Sequence, residues 1–145
     1  MRQALTSALM AIMLLGCAGE DRNVPLSYSI ADAMSLADYK DRLQGVDYYF
    51  GDQRHPPVEK SFGVRTTSQR SNTFARENEA SCARAFASAM LRLRAAALRA
   101  GGDAVIDIKS NYEHNEISSQ TQYQCASGAV MSGVALKGTV VKLRK

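Results

Sequence analysis

The sequence contains no Trp, no internal repeat and no low-complexity tract, and its longest apolar run lies at the N-terminus. Aromatic residues make up 7% of the 145 residues, charged residues 22% and apolar residues 46%. This balance is typical of one compact domain, and it excludes a disordered, collagenous or polytopic membrane protein. The net charge of +4 is a diffuse excess, which indicates no nucleic-acid partner.

The N-terminal apolar run has the features of a secretory signal. Arg2 precedes a run from Ala4 to Leu15, which is followed by Gly16-Cys17. A run of this length is too short to span a bilayer, for which roughly 20 residues are needed. Its ending resembles the bacterial lipobox, in which a signal peptidase cuts before an acylated Cys. The resemblance implies a lipoprotein signal peptide over residues 1–16 and a lipidated tether over residues 17–23. The alternative is a short hydrophobic helix packed on the core.

Lipidation of Cys17 would fix the location of the protein. Acyl chains on Cys17 would anchor it to the membrane, since each buried methylene contributes about 0.8 kcal/mol. Ala18 follows the Cys, and by analogy with bacterial sorting this favours the outer membrane, with the domain facing the periplasm. Residues 24–145 then form a single exported domain in the cell envelope.

Cys82 and Cys125 are the remaining cysteines. An even pair of thiols in an exported chain is most simply a structural disulfide. The alternative is a pair that binds metal or performs redox chemistry. The sequence contains no C-x-x-C motif and neither Cys has a neighbouring His, which favours the disulfide.

Hydrophobic periodicity predicts an α+β fold, with an antiparallel sheet of about four or five strands packed on one long helix. In that helix, expected over Asn78–Ala100, apolar residues recur at steps of three and four from Cys82 to Ala97, and Gly101 supplies the C-cap. Cys125 lies on the inward face of a strand, so the two cysteines can meet between helix and sheet. Before the long helix, the sequence predicts an extended segment at Val24–Ile30, a helix over Asp32–Gln44 capped by Asp32, and a hairpin of strands Val46–Phe50 and Val58–Thr67. After it, a strand begins at Ala104 with Ile106 and Ile108 on one face, and a second strand covers Ile117–Cys125. The last strand is expected over Ala129–Leu143 with a bulge at Gly138.

Two segments carry a family resemblance: Leu98-Arg99-Ala100-Gly101-Gly102-Asp103-Ala104-Val105-Ile106-Asp107-Ile108, and the closing Gly133-Val134-Ala135-Leu136-Lys137-Gly138-Thr139-Val140-Val141. The chain resembles the YbjQ-like group of small α/β domains and the periplasmic Rcs stress-sensor lipoproteins, which share the helix-to-strand junction and carry a disulfide. It is also similar to proteobacterial lipoproteins that share Tyr49-Phe50-Gly51-Asp52-Gln53 and Asn111-Tyr112. The resemblance spans about Val46 to Leu143, and it implies a binding or stress-sensing domain with an envelope protein partner.

Proteins of that last group often carry the label "excinuclease ATPase subunit", which the chemistry of this sequence does not support. Such an ATPase needs a G-x-x-x-x-G-K-[ST] loop whose amides hold phosphates. Here the segment from Gly133 to Thr139 has the wrong order and lies in a predicted strand. We therefore treat the label as a misnomer.

A metal site is conceivable where the two predicted loops that carry histidine meet. His55 and His114, with Glu113 and Glu116, could supply a His₂-carboxylate set, and Asp52 lies near in sequence. YbjQ-like domains are sometimes described as heavy-metal-binding. Because the spacing places no ligand pair on one helix face, exposed polar loops are the preferred interpretation. We expect no cofactor.

The sequence identifies no catalytic residue. It contains no G-x-S-x-G elbow, and the serines of Ser127-Gly128 and Ser132-Gly133 suit turn and strand positions. The tyrosines could form a ligand-stacking surface, although alternation predicts that half of them are core residues: Tyr48, Tyr49, Tyr112 and Tyr123. The sequence therefore favours a non-catalytic binding or sensing domain. The alternatives are a periplasmic protein that binds a small ligand or metal and, less favoured, a hydrolase.

Overall fold

A computed structural model describes residues 24–74 and 77–145. The predicted signal peptide, Cys17 and the tether lie outside the described residues. The helices are α1 (Ile30–Met34), α2 (Ala37–Lys40), a 3₁₀ turn (Asp41–Leu43) and α3 (Asn78–Ala100). The strands are β1 (Leu26–Ser29), β2 (Asp47–Phe50), β3 (Val58–Asn72), β4 (Ala104–Tyr112), β5 (Asn115–Ile117), β6 (Gln122–Ser127) and β7 (Met131–Leu143).

Helix α3 confirms the long helix predicted from periodicity, with the same bounds. Its apolar stripe is at most 1% exposed and consists of Cys82, Phe86, Met90, Leu93 and Ala97. The helix ends at Gly101, whose φ of 82° is the left-handed conformation that glycine adopts without strain.

The sheet is mostly antiparallel, and it packs on α3, so the predicted α+β class is confirmed. The order β1-β6-β7-β4-β2 forms its main path, while β3 pairs along the other side of β7 and β5 pairs with β4. Seven strands are present among the described residues, two more than the upper number predicted.

The disulfide between Cys82 and Cys125 confirms the predicted register of helix on sheet. It joins α3 to β6 with a Cα–Cα distance of 5.9 Å, inside the range of about 4.4 to 6.8 Å that disulfides require. Both residues are fully buried. Disulfides of this kind are typical of proteins that fold in an oxidising compartment.

The predicted β2–β3 hairpin is wrong. Strand β2 pairs in parallel with β4, and β3 instead pairs with β7 from Val58 to Asn72. The connection after β2 turns away because Gly51, with φ of 55°, donates its N–H to the carbonyl of Ile108 at 2.9 Å. This bond aligns the end of β2 with β4. The chain then passes through the two prolines to the edge of β7 that does not pair with β4, where β3 begins.

The predicted helix over Asp32–Gln44 is also wrong, because the segment forms two short helices and a 3₁₀ turn. Ser29, not Asp32, caps the first helix: its hydroxyl accepts the N–H of Asp32 at 3.2 Å. At the other end the Ser35 hydroxyl donates to the Asp32 carbonyl at 2.8 Å. Side-chain bonds of this kind compete with helix continuation, so the helix ends after one turn.

The predicted bulge at Gly138 is wrong as well. Gly138 pairs one-to-one with Arg65 on β3, and the irregularity lies opposite it in β4, between Ile106 and Lys109. There Asp107 has a φ of 51°, which places Ile106 and Ile108 on opposite faces and overturns their expected common face. The change of phase in β7 arises because both faces of its last residues are buried: Val140 packs under α3, and Val141 joins a small second core with Ala104 and Leu143.

The strand expected over Ile117–Cys125 is divided in two. Ile117 ends β5 and is 45% exposed, and β6 begins only at Gln122. Between them the Ser119 hydroxyl accepts the N–H groups of Thr121 and Gln122 at 3.2 and 3.0 Å. This serine turn ends the alternation, although Tyr123 and Cys125 keep the inward positions predicted for them.

Candidate functional site

A groove of about 570 Å³ lies where the sheet divides between the β4–β5 hairpin and the β1–β6 pair. One wall comes from the hairpin, and the other from the beginning of the domain and from β6. The lining residues are Val24, Pro25, Tyr112, Glu113, Asn115, Glu116, Ile117 and Gln124. We call this site the entry groove, because Val24 and Pro25 lead the chain into β1 there.

The entry groove forms because β4 leaves β7 before it ends. The pairing of β4 with β7 extends to Ser110, and from Ser110 to Tyr112 the other edge of β4 pairs with β5. Strand β6 takes the place beside β7, where Ala126 and Ser127 are the paired residues. The Ser110 hydroxyl, itself buried, accepts the N–H of Gln124 at 2.8 Å and holds the two branches together at the base of the groove.

A tight turn shapes the hairpin wall of the entry groove. Tyr112 pairs with Asn115, so the loop between them has two residues. Glu113 and His114 have φ values of 49° and 64°, the left-handed pair that a type I′ turn requires and that Asn-Gly would adopt with less strain.

Four charged side chains form a cluster of ion pairs beside this hairpin. Lys109 Nζ lies 3.0 Å from an Asp107 carboxylate oxygen and 3.5 Å from Glu116, and Glu116 also contacts Lys137. The hydrogen bond from Lys137 holds the pKa of Glu116 below its usual value, and the bond to Asp107 raises the pKa of Lys109. Lys109 and Glu116 therefore stay ionised near neutral pH, and Glu116, on the groove side, is already engaged by two lysines.

The residues considered for a metal site are divided among separate parts of the fold. The His55 ring lies against Tyr49, with ring centroids 5.5 Å apart. His114 and Glu113 form the hairpin turn, and Glu116 belongs to the charged cluster. Among residues 24–74 and 77–145, no three His, Cys, Asp or Glu side chains are placed to hold a metal ion together.

The serines considered as turn or strand positions have packing contacts. Ser132 is fully buried on β7, where its hydroxyl contacts that of Ser81 on α3 and lies 2.8 Å from that of Ser127. Ser81 also donates to the Asn78 carbonyl at 3.2 Å. This chain of hydroxyls joins the first turn of α3 to β6 and β7.

The four tyrosines do not form one stacking surface. Tyr123 is buried against Phe86, with ring centroids 4.2 Å apart, and Tyr48 donates its hydroxyl to the Leu43 carbonyl at 2.9 Å. Burial raises the pKa of Tyr48 to about 12 and that of Tyr123 further. Tyr112 lines the entry groove, and Tyr49 faces His55.

Two of the motif glycines, Gly102 and Gly138, occupy positions where a side chain has no room. A Cβ on Gly138 would lie 2.8 Å from a Val105 methyl, and one on Gly102 would lie 2.8 Å from the Val141 carbonyl. Asp103, beside Gly102, accepts the N–H of Leu143 at 2.8 Å. The segments that carry the resemblance therefore have a structural explanation at the helix-to-strand junction.

Sequence reasoning did not find the entry groove. The sequence predicts an extended segment that includes Val24 and Pro25 and a strand that includes Ile117, and a groove between two branches of a sheet leaves no local pattern. The only sequence signal is that the residues between Ile117 and Gln122 are all polar, which is typical of an exposed turn. The alternation through Ser119 and Thr121 makes the same residues resemble a continuous strand.

No family model matches the chain, and no significant match is found among curated proteins or solved structures. None of the helices in the part of the chain that the structure describes is both long and apolar enough to cross a membrane.

Proposed function

We propose that the protein is a lipid-anchored protein of the bacterial cell envelope, whose domain binds a protein partner in envelope-stress sensing and catalyses no reaction. The lipobox-like ending at Cys17 supports the anchor. The buried disulfide supports export, because such bonds form in oxidising compartments.

The observation that carries the binding role is the entry groove. It is concave, and two apolar side chains on its rim are largely exposed: Val24 at 62% and Ile117 at 45%. Apolar surface that remains exposed around a concavity is a common feature of binding sites. Glu113 adds negative charge to the same wall, whereas Glu116 is already paired with Lys109 and Lys137. The groove therefore favours a partner segment that is mainly apolar and carries a basic residue.

The anchor is tested by Cys17→Ser in cells. We expect the protein to move from the membrane fraction to the soluble fraction or to accumulate as an unprocessed precursor. Normal processing together with continued membrane retention would contradict the proposed lipidation.

The binding role is tested by replacing Ile117 with a photo-crosslinking phenylalanine analogue and irradiating intact envelopes. We expect a discrete adduct that is absent when the analogue replaces Glu59, an exposed residue on β3. Adding Tyr112→Ala should reduce the adduct without changing protein abundance. An equal adduct from both positions, or none at Ile117, would contradict a partner in the entry groove.

The volume of the entry groove favours a second candidate, a periplasmic protein that binds a small ligand. Ligand pockets commonly measure about 300–1,000 Å³, and this groove lies within that range. A thermal-shift screen of small amphipathic compounds tests it: a shift that Ile117→Asp abolishes would favour this candidate over a protein partner.

The metal form of this candidate has a direct test. We expect equilibrium dialysis with Zn²⁺ to show no stoichiometric uptake, because His55 and His114 lie on different elements. Tight uptake that is lost in the variant with both histidines changed to Ala would instead establish a metal site.

A further inference from the structure

One end of the domain carries exposed apolar side chains that do not belong to the hydrophobic core. Phe74 is 82% exposed, Val130 is 67% exposed and Met131 is 43% exposed. They lie together, because the Thr73 N–H donates to the Val130 carbonyl at 2.9 Å and Met131 pairs with Asn72. We call this patch of Phe74, Val130 and Met131 the apolar tip.

The chain enters the domain at the same end. Strand β1 runs antiparallel to β6 with Leu26 opposite Cys125, so β1 begins at the end of the sheet where β6 finishes, next to the turn that follows β6. Tyr112 links the two regions, since it borders the entry groove with Val24 and also borders the surface formed by Gly128 and Met131.

The length of chain before the domain limits how far this end can lie from an anchor. Val24 follows Cys17 by seven residues, and seven extended residues reach at most about 25 Å. A lipid on Cys17 therefore keeps Val24 within about 25 Å of the bilayer, whereas the far end of α3 lies about 30 Å along that helix from its beginning. The attachment point favours membrane contact by the end that carries Val24.

We propose that the apolar tip contacts the bilayer in which the lipid anchor sits, with Phe74 and Val130 in the interfacial layer. This inference rests on the proposed lipidation of Cys17. Exposed charges near the tip are mixed, with Arg70 on β3 and Glu77 and Glu79 at the beginning of α3. The contact is therefore apolar, and it does not require anionic lipids.

The absence of Trp allows a clean test with single-Trp reporters. Full-length lipidated F74W is reconstituted in phosphatidylethanolamine/phosphatidylcholine vesicles, with and without brominated acyl chains. The matched control is L98W, because Leu98 is an exposed apolar residue, at 46%, near the other end of α3. We expect blue-shifted emission and strong quenching by brominated lipid for F74W only, unchanged when phosphatidylglycerol is added.

A second variant pair tests the contribution of the patch. In V130W, adding Phe74→Asp should reduce lipid quenching severalfold, since burying one large apolar side chain changes affinity by about tenfold or more. Equal quenching in F74W and L98W, or none in either, would overturn the orientation. If the emission change depends on the number of protein molecules per vesicle and not on lipid bromination, the apolar tip contacts a second copy of the protein. That result would also overturn the proposed membrane contact.

These outcomes are separable from failure of the proposed function. If Cys17 is not lipidated, the full-length protein fails to co-purify with membranes, and the inferred orientation is overturned together with the anchor on which it rests. If it is lipidated and F74W remains unquenched, the anchor stands and only the orientation is wrong.

Discussion

Removal of the Cys82–Cys125 cross-link should destabilise the domain without changing its fold. The bond closes a loop with a sequence separation of 43 residues, and both sulfurs are fully buried between α3 and β6. Reduction of the wild-type protein retains every heavy atom of the core. It therefore isolates the effect of the cross-link on the unfolded chain, whereas Cys82→Ala with Cys125→Ala adds the loss of packing.

The loop length sets the size of the effect. For a loop of this separation, the chain-entropy relation gives about 4 kcal/mol of lost unfolding free energy at 25 °C. A domain of roughly 120 residues has an unfolding entropy near 0.25 kcal/mol/K at its midpoint, so the melting temperature should fall by about 15 °C.

Urea unfolding followed by circular dichroism measures this difference in the oxidised, reduced and double-Ala proteins. We expect a native-like spectrum in all three, with the lowest midpoint in the double-Ala protein because it loses packing as well. A loss below about 1 kcal/mol on reduction would refute the reasoning that the bond acts through the unfolded chain. Mass spectrometry of the unreduced protein that finds two free thiols would refute the pairing itself.

Three other changes test separate parts of the fold. Gly138→Ala should lower the unfolding free energy by about 1–3 kcal/mol through overpacking, whereas Gly133→Ala, with no atom closer than 4.0 Å to its added Cβ, should cost far less; equal losses in urea titrations would contradict the close contact. Replacing Glu113 by Asn together with His114 by Gly should raise the unfolding free energy by about 0.5–1 kcal/mol, because these residues suit the positive φ values of the turn; a lower urea midpoint would contradict this. Burial raises the pKa of Tyr48 to about 12, so the stability that its protonated phenol contributes is complete below pH 10 and is lost as the pH rises from about 10 to 12. In Tyr48→Phe the urea midpoint should therefore fall less over that pH interval than in the wild type. An equal fall in both proteins would contradict a protonated phenol at this position.

Periodicity predicted those elements whose burial is one-sided. Helix α3 has a single apolar stripe ending at glycine, and its predicted bounds are the observed ones. The disulfide follows from the same stripe, because Cys82 and Cys125 each lie on an inward face. Where both faces of a strand are covered, as at Val140 and Val141, the alternation no longer reports the backbone. The bulge predicted at Gly138 is therefore wrong.

Strand pairing could not be predicted where no turn residue specifies it. Between β2 and β3 the chain has a loop with two prolines, and no local residue distinguishes a hairpin from a crossing to the far side of β7. The deciding interaction is the bond from Gly51 to Ile108, which joins residues far apart in sequence. The bulge at Asp107 depends on the same kind of distant constraint, since it brings Ile108 under the helix opposite Gly138.

The entry groove and the apolar tip are products of this unpredictable pairing. Because β4 ends beyond its contact with β7, the sheet divides, and the division produces the groove beside Val24. Because β3 pairs with β7 to its end, Phe74 and Val130 emerge together at that same end. A tether attached there would hold both features toward the membrane, so a partner that binds the entry groove would approach along the bilayer surface.

Partner binding and membrane orientation should therefore be coupled. Phe74→Asp, which leaves every groove residue unchanged, should weaken the crosslink from Ile117 in intact envelopes, and an undiminished crosslink would show that the two features act independently.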